Sequence, residues 1–164
     1  MRIYTKTGDH LMTSTKIGRV YKSDLIIEVE GTLDEVETAL SLAKCETKDE
    51  TIKGILANLT KEMFDFGGDF LGYSSGKITE EKVENLEKII DSYQEKLEKT
   101  NDFVTPGENT ESAFIHSARV TVRRLERRVV AYGRENEVSD VLLEYVNRLS
   151  DLLFTLARWV EVNA

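Results

Sequence analysis

The sequence predicts an all-α fold, a five-helix bundle preceded by a short non-helical N-terminal arm. Three observations carry this prediction. Apolar residues recur at helical spacing in five successive stretches after about residue 30, the only proline is Pro106, and the breaks between stretches fall at glycine and serine clusters. At 164 residues the chain is long enough to bury one core without staples, so residues 1–164 read as a single domain. No internal repeat, low-complexity tract or interdomain linker divides it.

Arg2 to Lys6 and Leu25 to Glu30 look strand-like or irregular, separated by the turn-prone Thr7, Gly8 and Asp9. Thr32 with Glu35 three positions later forms a capping-box pattern. A first helix is therefore expected from Thr32 to about Lys44, carrying Leu33, Val36, Leu40 and Ala43. The second helix holds Ile52, Ile55, Leu56, Leu59, Met63, Phe66 and Phe70 and should stop near Gly72. Within it, Gly67 and Gly68 permit either a close helix contact or a break. Thr79 can cap a third helix bearing Val83, Leu86, Ile89, Ile90, Tyr93 and Leu97. After the loop at Pro106 and Gly107, a fourth helix is expected from about Thr110 to Tyr132, with Gly133 as its stop. Ser139 can cap a fifth helix built on Leu142, Val146, Leu149, Leu153, Leu156 and Val160.

A net charge of −8 argues against nucleic acid or an anionic membrane surface as the main partner, because both reward a basic face. The lone Cys45 cannot close an internal disulfide and reads as a small core or near-core residue. With no long apolar run and no signal-like N-terminus, a reducing cytoplasm is expected.

One charge cluster runs against the acidic balance. Residues 119 to 128 hold five arginines and one glutamate, and Arg119, Arg123 and Glu126 share a stripe with Arg127 at its margin. Like charges at i and i+4 repel, so Arg119 beside Arg123 asks for an anionic partner, and guanidinium forks suit phosphate. A solvated face paired to acidic neighbours would also account for the run. On the fifth helix Asn147, Asp151, Phe154 and Arg158 form a second face, consistent with a helix-pairing surface or with a ligand site at such a surface. Thr5, Lys6, Thr7, Gly8 and Asp9 can present hydroxyls, an ammonium and backbone N–H groups to a polyphosphate, or form an ordinary turn.

Taken in order, Tyr4 to Asp9, Gly31 to Glu35, Phe103 to Gly107, Arg123 to Arg128 and Asn147 to Asp151 resemble the successive signatures of the PduO-type ATP:cob(I)alamin adenosyltransferases. The resemblance extends from residue 2 to about 160. It implies transfer of the 5′-deoxyadenosyl group of ATP to the cobalt of cob(I)alamin or a related corrinoid, in a homotrimer whose sites lie between subunits. It further implies that Thr5, Lys6, Thr7, Gly8, Thr13, Ser14 and Lys22 wrap the triphosphate, and that Arg123, Arg124, Glu126, Arg127 and Asn147 supply the helical part of the ATP site. Arg119 and Asp34 match a salt-bridged pair joining subunits, which places Arg119, Arg123, Glu126 and Asp34 at the catalytic centre. Phe103 matches the aromatic residue that displaces the lower axial base of the corrinoid. Magnesium accompanies the nucleotide in the family; no metal ligands are assigned here. A reductase and an adenosylcobalamin-dependent acceptor enzyme are the further partners implied.

The chain departs from the family at three places. His10, Leu11 and Met12 replace the usual Lys-Gly before the Thr-Ser pair, Glu108 replaces a glycine after Pro-Gly, and Glu37 replaces Asn or Ser. Leu11 loses backbone freedom where phosphate should approach. These changes motivate an alternative, a non-catalytic corrinoid- or nucleotide-binding relative acting as carrier or sensor. A bare oligomerisation module is a third reading. A diiron bundle is excluded because no histidine lies three residues after a glutamate. His116 is expected at a helix surface or interface, and neither it nor His10 is given a catalytic role.

Overall fold

The structure is a computed structural model that describes residues 3, 4, 6–98 and 105–163. Five helices follow a small hairpin: β1 (Met12–Thr15), β2 (Gly18–Tyr21), α1 (Leu25–Glu46), α2 (Glu50–Phe70), α3 (Glu80–Gln94), α4 (Thr110–Gly133) and α5 (Asp140–Val162). The all-α five-helix bundle with a short arm is thus the observed fold. Among the described residues no helix is long and apolar enough to cross a membrane.

Helix α1 begins seven residues earlier than the sequence pattern suggested. Leu25 to Glu30 is helix, not strand, because Ile26 and Val29 are buried in line with Leu33, Val36, Leu40 and Ala43. Thr32 sits inside the helix and does not cap it; its Oγ1 donates to the Glu28 carbonyl (2.6 Å). Asp24 is the N-cap residue, and its carboxylate accepts from Tyr21 N (2.9 Å), closing the turn out of the hairpin.

The other helices start and stop for the expected physical reasons. Asp49 accepts from Thr51 N and Ile52 N at the start of α2, Thr79 from Lys82 N at α3, and Asn109 forms a capping box with Ser112 at α4. Ser139 precedes α5 without a side-chain cap bond. Helix α2 runs through Gly67 and Gly68 unbroken. The close approach is at Gly68, where an added Cβ would stand 2.6 Å from Ser74 Oγ. It ends in a Schellman turn: Tyr73 N donates to Gly68 O (2.8 Å), Gly72 N to Asp69 O (3.3 Å), and Gly72 takes φ +75°. Leu97 lies beyond the end of α3.

The core gathers one face from each helix, with Leu40, Leu56, Phe66, Leu86, Val122, Leu125, Leu149 and Leu153 fully buried. Helix α4 packs on α1 and α5, and α5 also packs on α3. Glu62 is among the polar groups buried with this core. Tyr145 donates to Glu62 Oε2 (2.6 Å), while Asn58 Nδ2 donates to Glu62 Oε1 (3.1 Å) and Lys82 Nζ lies 3.9 Å away. Cys45 is exposed, contrary to its expected place near the core, because it falls on the outer side of α1 in its last turn. His116 is buried and not on the surface, since α5 closes over it and supplies a carboxylate partner.

Candidate active site

Two regions hold the residues that the sequence singled out. The first is the arm. Ile3, Tyr4 and Lys6 are not in a strand; the arm's strands are β1 and β2, paired antiparallel with Thr13 opposite Val20 and Ser14 opposite Arg19. Thr5 lies outside the described residues, as does Phe103 in the later loop. The 6–11 segment folds back on the hairpin. Lys22 N donates to Leu11 O (2.8 Å), Arg19 Nη2 donates to Thr7 O (3.3 Å), and a Cβ at Gly8 would stand 3.5 Å from Lys22 Nζ. The Lys22 ammonium therefore lies beside the loop at Gly8, at a distance that a Cβ would meet in ordinary van der Waals contact.

Lys6, Lys16, Arg19 and Lys22 make this arm locally cationic, with the Thr7, Thr13 and Ser14 hydroxyls among them. Lys16 donates to Gly72 O, which ties the hairpin tip to the end of α2. Arg19 and Lys16 were not singled out from the sequence. Arg19 stands opposite Ser14 and shares one face of β2 with Tyr21, a placement that only the strand pairing reveals. Both Lys6 (φ +64°) and Leu11 (φ +58°) occupy the left-handed region. For Leu11 that conformation is costly, and it stands where the family usually places glycine.

The second region is the outer face of α4 with its neighbour on α5. Here the arginine run divides. Arg124 pairs with Glu35 and Arg128 with Glu28, both on α1, so these two neutralise an acidic helix within the chain. Among the described residues, Arg119, Arg123 and Arg127 have no carboxylate within ion-pair distance. Arg127 Nη1 donates to the Arg123 backbone carbonyl (3.0 Å), and the exposed Arg123 side chain makes no hydrogen bond or ion pair among the described residues. Burial and the charge of Arg123 lower the Arg119 pKa.

Glu126 and Asn147 are joined across the two helices, Asn147 Nδ2 donating to Glu126 Oε1 (2.8 Å). Arg148 fixes the other side of that amide by donating to Asn147 Oδ1 (2.8 Å) and to Glu87 Oε1 (2.7 Å). Further along α5, Phe154, Asp151 and Arg158 open onto a groove of about 740 Å³ between α3 and α5. Asp34 is exposed on α1 and, among the described residues, has no cationic partner; no Asp34 to Arg119 pair forms within the chain. Burial and the neighbouring Asp34 carboxylate raise the pKa of Glu37, one turn away.

Among the described residues, no hydrogen bond or ion pair links Lys6, Lys16, Arg19 or Lys22 of the arm to the Arg119, Arg123 and Arg127 stripe. Chemically, the arm offers cations and hydroxyls in a tight loop, and the α4 stripe offers guanidinium forks beside a fixed carboxylate and amide. Both sets suit an extended polyanion.

Residues 3–160 match the sequence model of the family described as cobalamin adenosyltransferase. A corrinoid adenosyltransferase of Bacillus subtilis is 37% identical over an alignment covering 100% of this chain and 89% of that protein. The corrinoid adenosyltransferase PduO of Salmonella typhimurium is 38% identical over 96% of this chain; the chain spans about half, 49%, of that relative's length. A variant PduO-type ATP:corrinoid adenosyltransferase from Lactobacillus reuteri, solved in complex with cobalamin and ATP, superposes with a TM-score of 0.92 at 28% identity, covering 98% of this chain and 91% of that one. By sequence along nearly its whole length and by fold, the chain belongs to the cobalamin adenosyltransferase family.

Proposed function

We propose that this chain transfers the 5′-deoxyadenosyl group of ATP to the cobalt of a reduced corrinoid, at sites shared between copies of itself. The observation that carries the reading is the Arg119 and Arg123 stripe, without a carboxylate partner among the described residues, beside the joined Glu126 and Asn147 pair; a variant PduO-type ATP:corrinoid adenosyltransferase of the same fold, solved with both cobalamin and ATP, supports it. Cobalt(I) is itself the nucleophile. It attacks C5′ of ATP, the cobalt–carbon bond forms as the C5′–oxygen bond breaks, and triphosphate leaves with the electron pair while cobalt becomes formally Co(III). No side chain has to act as a base. The protein must align the two substrates and stabilise the charge gathering on the leaving group, which preorganised cations in a partly dry site do best.

Lys6, Thr7, Gly8, Thr13, Ser14 and Lys22, together with Thr5, hold the triphosphate from the arm. Arg123, Arg124, Glu126, Arg127 and Asn147 hold the nucleotide from the helices, with Arg124 exchanging or sharing its Glu35 pair. The lack of a hydrogen bond or ion pair between these arm cations and the stripe among the described residues supports a site completed by a neighbour, and the unpaired Asp34 and Arg119 supply complementary charges for that contact. The assembly is a homotrimer, the arrangement that the family resemblance implies. Phe103 displaces the lower axial base and eases reduction of cobalt.

Magnesium enters with ATP. Among the described residues no three His, Cys, Asp or Glu side chains gather to hold a metal, and magnesium is ordinarily bound through substrate phosphates with one or two carboxylates. The setting is cytoplasmic, a one-electron reductase supplies cob(I)alamin, and an adenosylcobalamin-dependent enzyme takes the product.

The test is an anaerobic incubation of the protein with chemically reduced cobalamin and magnesium-ATP, followed by absorbance. Enzyme-dependent formation of adenosylcobalamin is the expected result. The second reading, a non-catalytic corrinoid or nucleotide binder, is favoured by the left-handed backbone of Leu11. It predicts binding of either substrate without product.

A further inference from the structure

Beneath the arginine stripe lies a polar group that the reaction just described does not use. The His116 and Glu161 side chains are 4% and 2% exposed, and His116 Nε2 lies 3.3 Å from Glu161 Oε1. The contact is within ion-pair range and is not a hydrogen bond, since neither of these two atoms has a hydrogen-bond partner among the described residues. Glu161 Oε2 accepts from Arg158 Nη1 (2.8 Å). On the opposite edge of the ring, Arg119 Nε donates to His116 Nδ1 (3.2 Å), and the Arg119 guanidinium lies 5.8 Å from the Phe154 ring centroid. Both Nη groups of Arg119 are without a hydrogen bond among the described residues.

A guanidinium can only donate, so Nδ1 must be the unprotonated nitrogen of a neutral imidazole. The ring proton then sits on Nε2, on the side of the Glu161 carboxylate, whose negative charge favours that tautomer. We infer that His116 is the positioning residue for Arg119: its Nδ1 holds Nε of the guanidinium over Phe154, with Glu161 securing the ring from behind, so that both Nη groups are aimed outward at the site. This inference rests on the proposed role of Arg119 in the shared active site.

The arrangement is conditional on protonation. A proton on Nδ1 would set donor against donor at Arg119 Nε and place a second positive charge beside the guanidinium. The charged groups facing His116 are Arg119 on its own helix and Arg158 and Glu161 on α5. Burial lowers the pKa of His116 below the ordinary histidine value, Arg119 and Arg158 lower it further, and Glu161 opposes them. The clamp therefore holds at neutral and alkaline pH and is lost as pH falls below the usual histidine range.

The test compares wild type, His116→Asn and His116→Leu between about pH 5 and about pH 9, measuring kcat and the KM for ATP and cobalamin separately. Asparagine keeps an acceptor oxygen near the Nδ1 position and cannot be protonated. It should retain wild-type kcat within about threefold at pH 8 and lose the part of the acid limb that belongs to His116. ATP itself takes up a proton in this range, so the readout is the difference between the two profiles. Leucine should lower kcat by about tenfold or more at every pH, because a misplaced guanidinium loses alignment.

A folded leucine variant with wild-type kcat, or an asparagine variant with an unchanged acid limb, would overturn the inference. The Arg119 Nε–H resonance of the wild-type protein, followed by NMR against pH, gives an answer that needs neither variant. It should be protected from exchange at pH 8 and lose protection as the His116 ring titrates; a resonance indifferent to that titration also overturns the clamp. Absence of adenosyl transfer by wild type would instead remove the functional reading, with the NMR titration still deciding the contact.

Discussion

Replacing Leu11 by glycine should make the arm more stable, which is unusual for removal of a large apolar side chain. Leu11 is 77% exposed, so little burial is lost. Its φ of +58° lies in the left-handed region, which costs a residue with a Cβ roughly 1–2 kcal/mol. Glycine returns about 0.5–1 kcal/mol of that through the extra freedom of the unfolded chain. The net expectation is a gain of about 0.5–1 kcal/mol, confined to the arm because the hairpin contacts little of the bundle. Since Lys22 N donates to Leu11 O, the Lys22 amide reports on this segment directly. Its hydrogen exchange should slow by about two- to fivefold in Leu11→Gly, from the same free energy at 1.36 kcal/mol per tenfold. Faster exchange at Lys22 would refute the reasoning, because it would mean that contacts of the leucine side chain outweigh the backbone strain.

Four other outcomes are expected. Arg123→Ala should lower kcat/KM by about 100-fold or more while leaving the melting temperature nearly unchanged, since this exposed guanidinium makes no ion pair among the described residues; wild-type turnover would remove Arg123 from the reaction. Tyr145→Phe should destabilise the bundle by about 1–3 kcal/mol in urea unfolding, because Glu62 then loses its buried donor, and a change near zero would contradict that account. Asp34→Arg and Arg119→Asp should each weaken assembly, and the double reversal should recover part of it in sedimentation; no recovery would separate the two residues. Phe103→Ala should slow the reaction begun from cob(II)alamin more than that begun from cob(I)alamin, and equal losses would dismiss its role in base displacement.

Helices α2 to α5 were legible because each carries a long apolar stripe with a plain start or stop signal, such as Gly72 with its Schellman turn or Thr79 with its cap. The first two turns of α1 were not. Leu25, Ile26, Ile27 and Val29 are a short β-rich apolar run, which a strand and a buried helix share, and only packing against α4 decides between them. The hairpin escaped notice because its residues are mostly polar or small and none is buried, leaving no apolar alternation to read.

For the candidate site, the like charges of Arg119 and Arg123 drew attention from the sequence alone. The division of that run did not, since Arg124 and Arg128 turn toward Glu35 and Glu28 on a helix distant in sequence. His116 was misplaced for the same reason. A buried histidine needs a partner, and Glu161 arrives from the far end of the chain. Cys45 shows the opposite error: a residue type that is usually buried lies on the outer face because the helical register puts it there.

The claim that the active site is shared between copies is tested most directly by subunit mixing. Lys6→Ala disables the arm and Arg123→Ala disables the helical face, so each variant alone should be nearly inactive in the anaerobic cobalamin assay. Unfolded together and reassembled in equal amounts, they should regain about a quarter of wild-type activity, because random pairing around a ring joins an intact arm to an intact helical face at one interface in four. A mixture as inactive as either parent would contradict the account and place arm and arginines in the same subunit's site.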